Sequence, residues 1–192
     1  MRYCNILNNN IKMDDKILKF EYVIHQLMKW YRDVFPNSGT MAYSHFTRLA
    51  SLKLLFLVSA IKDPYNNEDN DLLDLFNNYC AMQYGPVEID IYSDIVNQKT
   101  QRFTFGVYCL EDKDSTYSFN DLDERTKQRI DRAIELVKLY NSQLITFPAS
   151  KLVSITHKWE AWKNAIGLAE WLGKRSEKMS VESIRNSVPF YE

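Results

Sequence analysis

Glycine is scarce in this chain. There are 5 in 192 residues, and none falls in a phosphate-cradling pattern, so a Walker-type nucleotide loop is excluded. Cysteine is scarcer still: Cys4, Cys80 and Cys109 are odd in number, far apart and without CxxC spacing. That argues against a cysteine zinc site and against a disulfide framework, and fits reduced thiols in a cytosol. An excess of one charge is also lacking, since 24 Lys and Arg face 25 Asp and Glu. A general nucleic-acid binder needs a basic excess to neutralise phosphates, so this balance argues against a nucleic-acid partner while leaving room for a local basic patch. The N-terminal segment has no apolar core of the kind a signal peptide needs, and the longest apolar run, LKLLFLVSAI, is too short to span a bilayer. The expectation is a cytoplasmic protein with no membrane partner.

Catalytic machinery is equally thin. Of the three histidines, His25, His45 and His157, none lies in a Gly-x-Ser-x-Gly elbow or beside a cysteine of a known signature. His157 has no second histidine four residues away, which removes the helical zinc pair. The acidic stretch KDPYNNEDND lacks the glycine and terminal Glu of a calcium loop. The expectation is no catalytic residue, no metal and no cofactor.

What the chain does have is core material. Aromatic residues make up 14% and hydrophobic residues 45%, enough for one well-filled domain with contact surface to spare. Residues 1–12 read as a polar arm. A helix follows over 14–35, with Ile17, Phe20, Ile24, Leu27, Met28 and Tyr31 at three- and four-residue steps and Asp14 and Asp15 at its positive end. Pro36 and Gly39 stop it. A second helix over 43–61 is apolar nearly all round, which places it in the middle of a bundle. The spacing of Leu72, Leu75, Phe76, Tyr79 and Met82 predicts a third helix over 70–84, with Gly85 as its stop. Pro86 opens a further helix carrying Val87, Ile91 and Ile95 on one stripe and Tyr92 one to two turns in.

RFTFGVYCL then alternates, with Phe103, Phe105, Val107 and Cys109 on one face of a strand; STYSF is its expected hairpin partner across EDKD. An amphipathic helix spans 119–142, capped by Asn120 or Asp121, with Ile130, Ala133, Ile134, Val137 and Tyr140 inward. Ser150 is the expected cap of the helix that carries Thr156 and His157, and a last short helix follows Ser180. The fold expected is mostly α: a single-domain helical bundle with a small inserted two-stranded β-ribbon.

LVSITHKWEAWKNA, residues 152–165, concentrates rare residues: Thr156, His157, Trp159 and Trp162. A ligand pocket, a catalytic pair and the edge of a core all use such residues. Thr156 and His157 suit hydrogen bonds at a helix end, and Trp162 suits a core plug with its N–H satisfied. Lys158, Lys163, Lys174, Arg175 and Lys178 form a basic segment, with Trp159 and Trp171 available for stacking. It reads either as a solvated helix face or as a docking site for an acidic protein surface or RNA. Trp30, Tyr31 and Phe35 cluster at the end of the N-terminal helix, as core or as partner contact.

Taken in order, KLLFLVSA (53–60), MQYGPVEIDIY (82–92), LDERTKQRIDRAIELVKLYNSQLI (122–145), LVSITHKWEAWKNA (152–165) and MSVESIRNSV (179–188) resemble the Panacea domain. This is the SocA-like antitoxin domain, also described as phage-associated and GepA-like. Its most diagnostic residues here are Gly85, Pro86 and Val87 with Tyr92, then Thr156 and His157 followed by Trp162. The resemblance covers roughly residues 43–190, and residues 43–192 are taken as the domain, with 1–42 as an arm and added helix. Neither that helix nor the ribbon near 103–119 is part of the signature. The resemblance implies an antitoxin of a toxin–antitoxin system that is not an enzyme and neutralises a cognate toxin protein by direct contact, with its signature residues holding the scaffold. Candidate contact residues are Trp30, Tyr31, Phe35, Trp159, Lys163, Trp171, Lys174 and Arg175. The competing readings are a proteolytic adaptor that delivers a toxin to a ClpXP-type protease, a nucleic-acid-binding regulator, and a hydrolase using His157.

Overall fold

Helix α1 (Asp15–Val34) opens the part of the chain that the computed structural model describes, residues 15–63 and 71–192. The expected arm and most of the polar loop after Lys62 lie outside those residues. The six stripe residues of α1 are buried as expected, and Leu18, Tyr22, Val23 and Trp30 are buried too, because α1 is flanked by several later elements. The expected second helix is two helices. α2 (Met41–His45) ends at Phe46, and Thr47 starts α3 (Arg48–Ser59) by accepting a hydrogen bond on its side chain from the Ala50 N–H at 3.3 Å. Every residue from Ala50 to Ser59 is buried, so α3 is the central rod that the all-round apolar pattern requires.

The expected third helix is absent. Residues 71–78 form turns, and Tyr79–Met82 (β1) and Gly85–Glu88 (β2) make a hairpin in the register Tyr79↔Glu88 to Met82↔Gly85. A period of two overrides the helical spacing here: Tyr79 and Ala81 point into the core while Cys80 and Met82 are half-buried. Gly85 is therefore the first residue after a two-residue turn rather than a helix stop. Pro86 lies on an edge strand, where its missing N–H is tolerated. The following helix, α4 (Ile89–Val96), begins three residues later than expected, capped by Glu88, whose carboxylate accepts from the Ile91 N–H at 2.9 Å.

The ribbon is present but turns earlier. β3 (Phe103–Phe105) pairs with β4 (Leu110–Asp112), not with STYSF. Gly106 N–H donates to the Cys109 carbonyl at 2.8 Å, and a Cβ on Gly106 would lie 2.7 Å from that oxygen. This tight closure lifts Val107 and Tyr108 out of the strand and into solvent.

α5 (Glu124–Tyr140) is capped by Asp123 rather than Asn120 or Asp121, its carboxylate accepting from Thr126 N–H at 2.9 Å. Ile130, Ala133, Ile134 and Val137 face inward as expected; Tyr140 stays largely exposed and leans on Tyr191. After a 3-10 turn at Leu144–Thr146 comes α6 (Ala149–Thr156), which starts at Pro148 with no side-chain cap, so Ser150 sits inside the first turn. α7 (Glu160–Trp171) follows. β5 (Glu177–Lys178) then adds to β1, completing a three-stranded sheet in the order β2-β1-β5 that periodicity did not announce. α8 (Val181–Asn186) closes the chain with Ser180 as its cap, as expected. The architecture is mostly α with small β additions.

Glu21 fastens the ribbon to α1. It is fully buried, and its carboxylate accepts from the backbone N–H groups of Gln101, Arg102 and Phe103 at 3.0, 2.9 and 2.9 Å. Replacing Glu21 by Ala strands these donors, two of them buried. The expected loss in unfolding free energy is roughly 2–4 kcal/mol. Glu21→Gln keeps one acceptor oxygen and should lose less. Chemical denaturation of the two variants checks the order.

Candidate functional site

The middle of α3, the β1–β2 hairpin and the end of α6 meet at one point. Lys53 comes from α3. Its side chain has no exposed surface, and its Nζ donates to the Pro86 carbonyl on β2 at 2.6 Å. Burial pulls its ammonium down from the ordinary 10.5 to about 7, because removing the charge from water is costly without a carboxylate beside it. Gly85, next in line, has φ +96°. A Cβ at Gly85 would sit 2.5 Å from Thr156 Oγ1 and 3.4 Å from Lys53 Cε and Nζ. Thr156, at the end of α6, is itself fully buried and donates from Oγ1 to the Val153 carbonyl at 2.9 Å.

His157 caps α6 and lies flat on Trp162, with ring centroids 3.8 Å apart and planes 6° apart. Trp162 in turn donates from Nε1 to the Met82 carbonyl at 3.0 Å, tying α7 to the start of the hairpin turn. Burial first and the nearby Lys53 second lower the pKa of His157, and a bond to the Gln83 backbone works the other way. Gly85, Pro86, Thr156, His157 and Trp162 thus form one hub around Lys53. Val87 is buried in the adjoining strand; Tyr92 lies on α4 outside these contacts, more than a third exposed.

An amine of lowered pKa, a hydroxyl and an imidazole are also the parts of a nucleophilic site. Here the amine is held by a carbonyl and the hydroxyl by its own helix, while the imidazole is covered on one face by an indole and its buried Nε2 has no hydrogen-bond partner among the described residues. Lys53 and Thr156 have no exposed surface for a substrate to reach. The bonds of Lys53 and Trp162 run from α3 and α7 to backbone carbonyls of the hairpin.

The candidate contact residues divide. Trp159 is fully buried: its Nε1 donates to the Phe190 carbonyl at 3.1 Å and its ring packs edge-on to Phe56. That burial removes it from any surface. Trp30 and Tyr31 are core residues of α1, Tyr31 stacking on His45 at 4.5 Å. Phe35 is partly exposed beside a hollow of about 470 Å³ that includes Tyr31 and Met41. Lys163, Trp171, Lys174 and Arg175 are all exposed on or just after α7, and Lys174 and Arg175 line a groove of about 420 Å³ with Gln83, Trp162, Ile166 and Glu170. Lys53 escaped the sequence reading. Its signal was a lone cation within the apolar run LKLLFLV.

A family model described as the antitoxin SocA-like, Panacea domain matches residues 52–163, more than half of the chain. The chain belongs to the Panacea family. No curated protein and no solved structure matches it. The Panacea match takes in every hub residue, from Lys53 to Trp162. It is shorter at both ends than the expected 43–190, and it contains the β3–β4 ribbon, against the expectation that the ribbon lies outside the family signature. α1 lies outside the match, as does everything after Lys163.

Two outcomes test the Panacea hub. Gly85→Ala combines an unfavourable φ with a clash against Thr156, and should cost roughly 2 kcal/mol or more in thermal or chemical unfolding. Lys53 sets a pH trend. The unfolded chain holds this proton up to about pH 10.5 and the folded chain only to about 7, so the penalty is full below about 7 and is relieved as the pH rises between the two values. Wild-type stability should therefore climb relative to Lys53→Met from pH 7 to 10, as read by denaturation at each pH.

Proposed function

We propose that this Panacea chain is an antitoxin that neutralises a cognate protein toxin by direct binding, with no catalysis of its own. The observation that carries the reading is the way the hub is spent. Lys53, Thr156 and Trp162 direct their donors to Pro86, Val153 and Met82 inside the protein, which supports reading these three as braces of a frame. Large apolar side chains stand on the outside instead: Tyr84 at the hairpin tip, Tyr108 at the ribbon tip and Trp171 on α7. Neutralisation by contact asks for such a frame and a few aromatic anchors, since a stable interface of about 1,600 Å² draws most of its energy from a handful of residues.

The partner is expected to be encoded beside this chain. Expressed alone, the protein from the adjacent reading frame should arrest growth; expressed with this chain, it should be harmless and should co-purify with it. A neighbour that is harmless alone, or rescue without a complex, overturns the reading. Toxin that disappears only when a ClpXP-type protease is active would favour a proteolytic adaptor instead.

A further inference from the structure

Lys53 sits where a cation is poorly served. An ammonium has three N–H groups to satisfy. Lys53 makes one hydrogen bond, to the Pro86 carbonyl, is in no ion pair among the described residues, and has no exposed surface. The base beside it, His157, is no better supplied, with one face on Trp162 and a buried Nε2 that has no hydrogen-bond partner among the described residues. The charged groups on the surrounding elements are engaged elsewhere. On β2, Glu88 accepts from Lys16 and from the N–H groups of Asn78 and Ile91. On α1, Glu21 serves the ribbon, and on α5, Arg129 and Arg132 pair with Asp74 and Asp63. Arg48, at the start of α3, donates to the Phe105 carbonyl, and the charged residues of α7 are exposed, as is Lys151 on α6. On β1, burial raises the pKa of both the Tyr79 phenol and the Cys80 thiol. None of these groups moves the Lys53 pKa, which burial alone brings to about 7. Burial first and Lys53 second lower that of His157.

Water can reach Lys53 by two routes: α3 leaves the core, or β2 lifts from α3. The second disturbs far less. Every residue of α3 from Ala50 to Ser59 is buried, whereas β2 is an edge strand that only β1 holds in the sheet. A hairpin of two four-residue strands is marginal without a helix to lean on. Its turn end is fastened by two side-chain bonds, from Lys53 to Pro86 and from Trp162 to Met82. We propose that Lys53 is the pin of a proton-operated latch: when it takes up a proton, the β1–β2 hairpin lifts from α3 at its turn while the helical core stays closed. The sign follows from linkage. A lifted Lys53 holds its proton up to about pH 10.5, a seated one only to about 7. The lifted state therefore gains population as the pH falls from about 10 to 7, by up to about tenfold per pH unit, and levels off below 7, where both states hold the proton. His157 adds a step of the same sign below its ordinary 6.5, because the seated ring holds a proton less readily than a hydrated one. The latch does not depend on the antitoxin reading.

The test is amide hydrogen exchange on the full chain at pH 7, 8 and 9, corrected for the intrinsic exchange rate at each pH. At pH 7 the amides of residues 79–88 should be about tenfold or more less protected than those of α5, since the hairpin opens by itself. Their protection should rise by up to about tenfold per pH unit, and in Lys53→Met that rise should vanish. Hairpin protection equal to that of α5 at every pH means that the hairpin opens only when the whole chain does, and overturns the proposal. Protection that does not change with pH, or that rises as steeply in Lys53→Met, overturns it too. If Lys53→Met does not fold, the wild type decides alone, through the Cε carbon resonance of Lys53 in protein made with isotope-labelled lysine. That resonance should titrate near pH 7, with hairpin protection rising above it; titration at the ordinary lysine value overturns the latch.

Discussion

The hydrogen bond from Lys53 to the Pro86 carbonyl is the constraint around which this molecule is arranged. It places an amine inside the most buried helix and gives it a backbone oxygen as partner, not a carboxylate. Such a group is costly as a cation, and burial accordingly moves its pKa down toward 7. The same bond fixes where the hairpin lies. Strand β2 must come close enough for Pro86 to accept, and only a residue without a Cβ at position 85 lets Thr156 and Lys53 share that space. His157 and Trp162 then close the outer side, one covering the other and the second holding the turn.

A second buried charge does the same for the other sheet. Glu21 offers a carboxylate to three successive backbone N–H groups at the entry to the ribbon. Burial pushes its carboxyl pKa up and the three donors pull against that. In both places a polar side chain from a core helix supplies what irregular backbone at a strand needs, an acceptor in one case and a donor in the other. A two-stranded ribbon and a short three-stranded sheet are marginal by themselves. They persist here because a helix holds each by a directed bond as well as by packing.

This arrangement separates frame from surface. The Panacea match spans the residues that brace the interior, whereas α1 and the α7 face carrying Trp171 fall outside it. Tyr84, Tyr108 and Trp171 stand exposed on the outside, whereas Lys53 and Thr156 are fully buried. The tryptophans make the point. Trp159 and Trp171 are twelve residues apart in one segment, yet one is a core plug bonded to Phe190 and the other is open to water.

The helices with a clean apolar stripe are legible from residue order alone. α1, α5 and the core rod α3 follow from spacing, since a helix must bury whichever face is apolar. Residue order also carried the family resemblance and brought Gly85, Pro86, Thr156, His157 and Trp162 forward as residues of one scaffold. The stretch from 71 to 88 depends on long-range pairing: the spacing of Leu72, Phe76 and Tyr79 fits a helix, but β1 finds β5 nearly a hundred residues away. Strand pairing at that distance leaves no local mark, whereas helical bonds are local and do. Nor did the pattern assign Lys53 or sort Trp159 from Trp171. A charge in a core and an indole at a surface are fixed by which neighbours arrive from other elements, and periodicity within one segment holds no record of them.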